Sequence, residues 1–229
     1  MSRRVLDGDA AEDAALSTGT TTDFAVEAIR RRIVLGQLLP GAKLRVDQLA
    51  HELNVSRVPV REAFRELLAE GLVEIYPRRG AVVAEIRKQD VHEGYRMLEL
   101  MEVMAAERVI TADPAGTAGR MRGHLDQLDR LVDRPDPAAN LDAHRAFHFE
   151  VFTALGPGLL QRTARMMWHT CERYINASTQ GRRTEQAHRE HVELMRCFAE
   201  ADAIAAVALT RMHVAHGREA ALRGLGLVN

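Results

Sequence analysis

Apolar residues recur along the chain at two different periods, and the change of period divides it. From Asp23 onward Phe24, Ala25, Ala28, Ile29, Ile33 and Val34 fall at helical spacing, and Gly36 stops that helix. Leu39-Pro40-Gly41 reads as a turn. Val46 to Leu53 predicts a short helix with Leu49, Ala50 and Leu53 on one side. Asn54, which tolerates the left-handed backbone of a tight turn, ends it. A third helix is predicted from Ser56, a suitable cap, through Pro59 in the first turn to Glu70 and Gly71. Two strand-like pieces follow, Leu72 to Tyr76 and Ala81 to Glu85, joined by Pro77-Arg78-Arg79-Gly80 as a hairpin tip.

After Lys88 the pattern is helical almost throughout. Helices are predicted at about Asp90–Ala112, Pro114–Leu131, Asn140–Leu155, Leu159–Ser178, Thr184–Ala199 and Asp202–Leu222, with Asn140 and Asp202 as caps. Asp133 to Pro137 and Gly156-Pro157-Gly158 are the breaks. Three parts result: a polar, Ala- and Thr-rich leader over 1–22, a small mixed domain over 23–86, and an all-helical domain over 87–229. The fold class is mostly α: a winged helix-turn-helix followed by an antiparallel bundle of six to seven helices.

Composition adds limits. Aromatic residues are few, which favours helix packing over a sandwich or barrel. Cys171 and Cys197 have no metal or redox spacing. No apolar run is long enough to span a bilayer, and no apolar stretch follows Arg3 and Arg4, so a cytoplasmic protein is expected. The net charge of -1 conceals a local excess: from Arg30 to Gly80, ten basic minus six acidic side chains give +4.

That excess suits a nucleic-acid surface. On the third helix Val60, Ala63, Phe64, Leu67 and Leu68 form a packing stripe, while Arg57, Arg61 and Arg65 repeat every four residues on another side. The planar guanidinium fork can bond guanine O6 and N7 together or grip phosphate. Ser56 at the helix start could hold a phosphate, and Arg78 and Arg79 at the hairpin tip could reach a neighbouring groove. The spacing alone is equally that of a solvated face paired with Glu62 and Glu66.

In the helical part, His144 and His148 stand four apart on one helix, a spacing that suits a metal, and His191 and His213 could face them across a bundle. Imidazole donors suit zinc, with nickel or another transition metal as alternatives. Histidines at this spacing are also common on ordinary helix surfaces. His188, one turn before His191, is an alternative ligand.

The run Gln37-Leu38-Leu39-Pro40-Gly41-Ala42-Lys43-Leu44, then Val55-Ser56-Arg57-Val58-Pro59-Val60-Arg61-Glu62-Ala63, then Glu70-Gly71-Leu72-Val73 and Arg79-Gly80, resembles the GntR family of regulators. The resemblance implies DNA contacts at Ser56, Arg57, Val58 and Arg61 and at the wing tip around Arg79-Gly80. Arg45, Arg65 and Arg78 complete the expected DNA surface. Val58 is commonly Thr in that family, so an apolar contact, for example to a thymine methyl, would replace a hydrogen bond.

Residues 90–222 resemble the FCD-type ligand-binding domain of the FadR subgroup, through Phe147-His148, Gly156, Leu159-Leu160, His191 with Leu194, Asp202, Ala206 and Met212-His213. This resemblance implies a divalent metal held by His148, His191 and His213. His144 stands where the family has Asp or Asn. Four neutral donors would leave the ion its full positive charge and a strong pull on an anion. The alternative is loss of the metal, with the histidines binding an acid directly. A second departure is Leu98, where many relatives have Arg. Arg96, Arg145 and Arg165 are the candidate partners for an effector carboxylate.

A non-enzymatic regulator is thus expected, a repressor relieved by a small organic acid or sugar acid, and DNA geometry makes it a homodimer on a palindromic operator. The rivals are a metal-dependent hydrolase and a regulator with a purely structural metal. The first lacks a placed general base, since Glu150 and Glu190 fall on other faces than their neighbouring histidines.

Overall fold

The computed structural model describes residues 19–179 and 184–228. The leader expected over 1–22 therefore lies mostly outside the described residues. Its last part is helical: α1 spans Thr21–Val34, two residues earlier than the apolar period suggested. The cause is a capping box. The Thr20 hydroxyl accepts from the Asp23 amide, and the Asp23 carboxylate accepts from the Thr20 amide.

The head then runs β1 (Lys43–Leu44), α2 (Val46–Glu52), α3 (Arg57–Ala69), β2 (Val73–Tyr76) and β3 (Gly80–Val83). Asn54 adopts φ 53°, as its place in the α2–α3 turn requires. β1 is too short to show a period in sequence. It pairs antiparallel with β3, Lys43 opposite Val82, and β3 pairs antiparallel with β2, Tyr76 opposite Gly80. The wing is thus a three-stranded sheet in the order β1-β3-β2. Ile29, Val60, Leu67, Leu72 and Val83 are fully buried between α1, α3 and the sheet.

Among the described residues six helices form the second domain: α4 (Lys88–Ala112), α5 (Pro114–Arg130), α6 (Pro137–Thr153), α7 (Leu159–Thr179), α8 (Glu185–Ala199) and α9 (Ala203–Gly224). α6 begins three residues before the expected Asn140, because Asp136 caps it by accepting from the amides of Ala138 and Ala139. α4 packs against α7 and α9, and α5 against α6 and α8. Phe147, Phe152, Trp168 and Phe198 fill the middle of the bundle. A smaller cluster of Val91, Tyr95, Tyr174 and Val214 closes the end nearest the connector. No helix among the described residues is long and apolar enough to cross a membrane.

The head is docked on the bundle. Asn176 Nδ2 donates to the Val34 carbonyl at 2.9 Å, Thr170 Oγ1 donates to the Glu70 carbonyl at 2.8 Å, and Arg173 donates to the Ala84 carbonyl. All three donors lie on α7.

Candidate functional site

His144 and His148 on α6, His191 on α8 and His213 on α9 converge, with ligand nitrogens all within 4.8 Å of one another. His148 Nε2 and His213 Nε2 each lie 3.1 Å from His191 Nε2. The far side of two rings is held by carboxylates. Glu190 Oε2 is 2.7 Å from His213 Nδ1, and Glu102 Oε2 is 3.3 Å from His148 Nδ1. Glu102 comes from α4, so four helices contribute to the site.

These distances test whether a cation fits. With its Nδ1 given to the ionised Glu190, His213 turns an Nε2 lone pair inward, and the neutral ring of His148 can do the same. His191 Nε2 touches both and has at most one hydrogen to give. A divalent cation accepts all of these lone pairs at once, and four neutral imidazoles are a donor set that suits zinc or a neighbouring transition metal. Burial reinforces this. It drives the His148 pKa well below the ordinary value, with His213 as a lesser cause, so the ring stays neutral.

Glu190 is ionised. Its burial opposes that, but hydrogen bonds from His213, Gln186 and His216 outweigh it and hold the pKa at about 2. Glu102 is pushed up to about 8, burial outweighing the pull of His213. The expectation that a bound ion would keep its whole charge is therefore revised, since the Glu190 carboxylate stands behind one of the ligands. Sequence spacing placed Glu190 off the face of His191 and stopped there. It could not show that the same direction leads to α9.

The cluster opens into a cavity of about 210 Å³. Tyr95, Leu98, Leu141 and Val214 give apolar wall, while Asn140, Gln186, His216 and Arg223 give polar wall. Trp168 also lines it, 1% exposed, its ring 5.0 Å from that of His148 and its indole N–H without an acceptor among the described residues.

The three arginines expected to meet an effector do not line this cavity. Arg96 is exposed and pairs with Glu99 at 2.9 Å, one turn along α4. Arg145 turns away from the cavity that the histidines line, and bonds Asp142 at 2.7 Å and Glu172 at 3.0 Å. Arg165 stacks over Phe149 at 5.3 Å. The i and i+3 spacing of Arg145 from His148 concealed that one points out and the other in. Among the described residues, Arg223 near the end of α9 is the arginine that reaches the cavity wall. His188 is not in the cluster; its Nδ1 lies 3.7 Å from Asp129.

On the head, Arg45, Ser56, Arg57, Val58, Arg61, Arg65, Arg78, Arg79 and Gly80 are all exposed. Ser56 is the N-cap of α3 by backbone conformation, yet its hydroxyl makes no capping bond. The hydroxyl and the first amides of α3 thus face outward together, the arrangement that binds phosphate. Arg57 pairs with Asp47 at 2.7 Å and Arg65 with Glu62 at 2.6 Å, both at the surface. Arg78 has φ 63° and Gly80 φ 86°, the left-handed turn that puts both wing arginines at the tip.

Residues 21–83 match the gntR family of bacterial regulatory proteins, and residues 93–216 match the FCD domain. An HTH-type transcriptional regulator in the TAR-I ttuE-ttuC' intergenic region of Agrobacterium vitis is 29% identical over 137 residues, 58% of this chain and 80% of its own length. The HTH-type transcriptional repressor RspR of Escherichia coli is 32% identical over 106 residues, 46% of each chain. The crystal structure of a GntR transcriptional regulator from Rhodococcus sp. RHA1 superposes with a TM-score of 0.75 at 24% identity, covering 91% of this chain and 99% of its own, which shows a shared fold. With a GntR head followed by an FCD domain that takes in more than half of the chain, the protein belongs to the GntR family of transcriptional regulators and carries an FCD-type ligand-binding domain.

Proposed function

We propose that this protein is a cytoplasmic repressor that reads a palindromic operator as a homodimer and releases it when a small organic acid or sugar acid binds at a metal held by the four histidines. The observation that carries this reading is the convergence of His144, His148, His191 and His213 on one open cavity, inside a domain docked on a DNA-binding head. Zinc is the metal the donors favour, with nickel next. His148, His191 and His213 hold it, and His144 supplies the fourth nitrogen. When bound, the metal supplies a positive charge to which an anionic oxygen can attach.

The chain's own residues do the rest. Glu190 and Glu102 orient the rings, Asn140, Gln186, His216 and Arg223 offer hydrogen bonds to the far end of the effector, and the unpartnered Trp168 N–H offers one more. No catalytic step is assigned, because the ionised Glu190 is committed to two histidines and is not placed as a free base.

Dimerisation is supported by a row of exposed apolar side chains. Met97, Leu100 and Met104 on α4 are each about half exposed, and Met104 shares a surface hollow with Leu159 at the start of α7. A second copy would cover this row and present two recognition helices to two half-sites. On the head, Arg61, Arg57 and Ser56 lead into the major groove, Val58 meets a base edge, and the wing reaches the adjacent backbone.

The test is elemental analysis of purified protein and of His148→Ala, with operator binding measured with and without added acids. About one metal per chain, lost in the variant, with operator release by an acid only in the loaded protein, is the expected result. A metal-loaded protein whose DNA binding ignores every acid would favour the structural-metal reading instead.

A further inference from the structure

α6 has a different duty on each side. His144 and His148 face the cavity, while Asp142 and Arg145 face the DNA-binding head. Arg31 of α1 reaches across the domain boundary and bonds both oxygens of Asp142, at 3.2, 3.0 and 3.0 Å. Asp142 also accepts from Arg145 at 2.7 Å, and Arg145 continues to Glu172 on α7 at 3.0 Å. Glu172 is 2% exposed. It sits between Thr170 and Arg173, two of the three α7 side chains that donate to head carbonyls.

The carbonyls they reach are not arbitrary. Val34 closes α1, Glu70 is the C-cap of α3, and Ala84 follows β3. Carbonyls at helix ends lack an intrahelical partner, so α7 supplies what the head's own elements cannot. Asn176 and Arg173 are themselves buried, and would be left unpaired if the head moved off. The head is therefore held in one register by α7 and by the Arg31–Asp142 pair. Of the two elements, α6 is the one that also bears cluster histidines.

We propose that Arg31, Asp142, Arg145 and Glu172 form a relay that couples occupancy of the histidine cluster to the position of the DNA-binding head. This rests on the reading that the cluster holds a metal. A cation held by His144, His148, His191 and His213 would draw α6, α8 and α9 to fixed positions. Asp142, half a turn before His144 on the same helix, is fixed with them, and Arg145 ties that position to α7 through a buried carboxylate. The exposed Arg31–Asp142 pair adds little stability on its own. Its role is to transmit position.

Amide hydrogen exchange on the full chain, with zinc(II) alone as the probe, tests this without a known operator or effector. Zinc should slow exchange at the end of α1, Ile29 to Val34, and around Glu70 to Leu72 by roughly five-fold or more, the lower end of coupling between sites. α2, which does not touch the bundle relay, should be unaffected. Asp142→Asn, a half-exposed site that tolerates the change, and Asp142→Asn with Glu172→Gln should bind zinc at the same stoichiometry yet lose the response in α1. Bound zinc with no change in α1, equal protection of α1 and α2, or an intact response in the double variant would each overturn the relay while leaving the metal site standing. Failure of the native protein to take up zinc would overturn the metal reading, and the relay with it.

Discussion

His213 Nδ1 lies 2.7 Å from Glu190 Oε2, and this contact decides which nitrogen of the ring faces the cluster. A carboxylate on Nδ1 keeps the hydrogen there and raises the basicity of Nε2. Glu190→Gln retains the shape and loses the charge. It is expected to weaken zinc affinity roughly 10–100-fold, the usual cost of losing such a partner. Competition with a chromophoric chelator measures it, and unchanged affinity would remove Glu190 from the account of the site.

Trp168 is the one tryptophan of the chain and its ring lies 5.0 Å from His148. Its emission therefore reports on the cluster alone. Nickel(II) or copper(II) bound by the histidines should quench it, and zinc should change it without quenching. His191→Ala should abolish both effects. Quenching that survives that variant would place the metal elsewhere.

On the head, Arg61→Ala should weaken binding to a DNA site selected from random sequence by about 1–3 kcal/mol per half-site and relax preference at one base pair, as loss of a bidentate base contact does. Arg79→Ala at the wing tip should weaken binding to all sequences alike and reduce its salt dependence. The two outcomes are separated by titrating both variants against the selected site and a scrambled one at two salt concentrations. Equal losses on both DNAs for Arg61→Ala would reassign that side chain to phosphate.

His169, which is not one of the cluster histidines, gives a pH dependence of its own. Burial, followed by the nearby Arg30, Arg145 and Arg165, lowers its pKa from 6.5 to about 3. The unfolded chain thus takes up a proton near pH 6.5 that the folded chain refuses until about pH 3. Its contribution to stability is whole above pH 6.5 and is lost as the pH falls through that window, by up to about 1.4 kcal/mol per unit. His169→Phe should flatten this part of the acid slope in urea melts at pH 7 and pH 5. A slope unchanged by the substitution would mean that His169 titrates normally.

What could be read from sequence depended on whether it was local. The α3 block from Val55 to Ala63, the Asn54 turn and the i, i+4 pair His144 and His148 are properties of adjacent residues, and each is found in the structure. That His191 and His213 could meet them followed from their places on the last two predicted helices, and the resemblance added the metal. The early start of α1 and of α6 was missed because a cap is set by one or two polar side chains, Thr20 with Asp23 or Asp136 alone, and an apolar period does not register it. That the candidate effector arginines stay out of this cavity was hidden for a different reason. Arg145 is only three residues from His148, and which side of α6 meets the cavity is settled by how the helix packs on α5, α7 and α4. Glu102 and Arg31 had no signal of their own, since their partners stand 46 and 111 residues away.

The connector between β3 and α4 has only four residues, Ala84 to Arg87, and can span at most about 14 Å. In the proposed dimer that shortness sets the phasing of the operator. Inserting one base pair between half-sites turns one of them by about 35° around the duplex axis. A head on a long tether would follow that rotation at little cost, whereas one held on a short leash and gripped by α7 cannot. The protein should therefore be intolerant of spacer length, choosing sites by their geometry as well as by their bases.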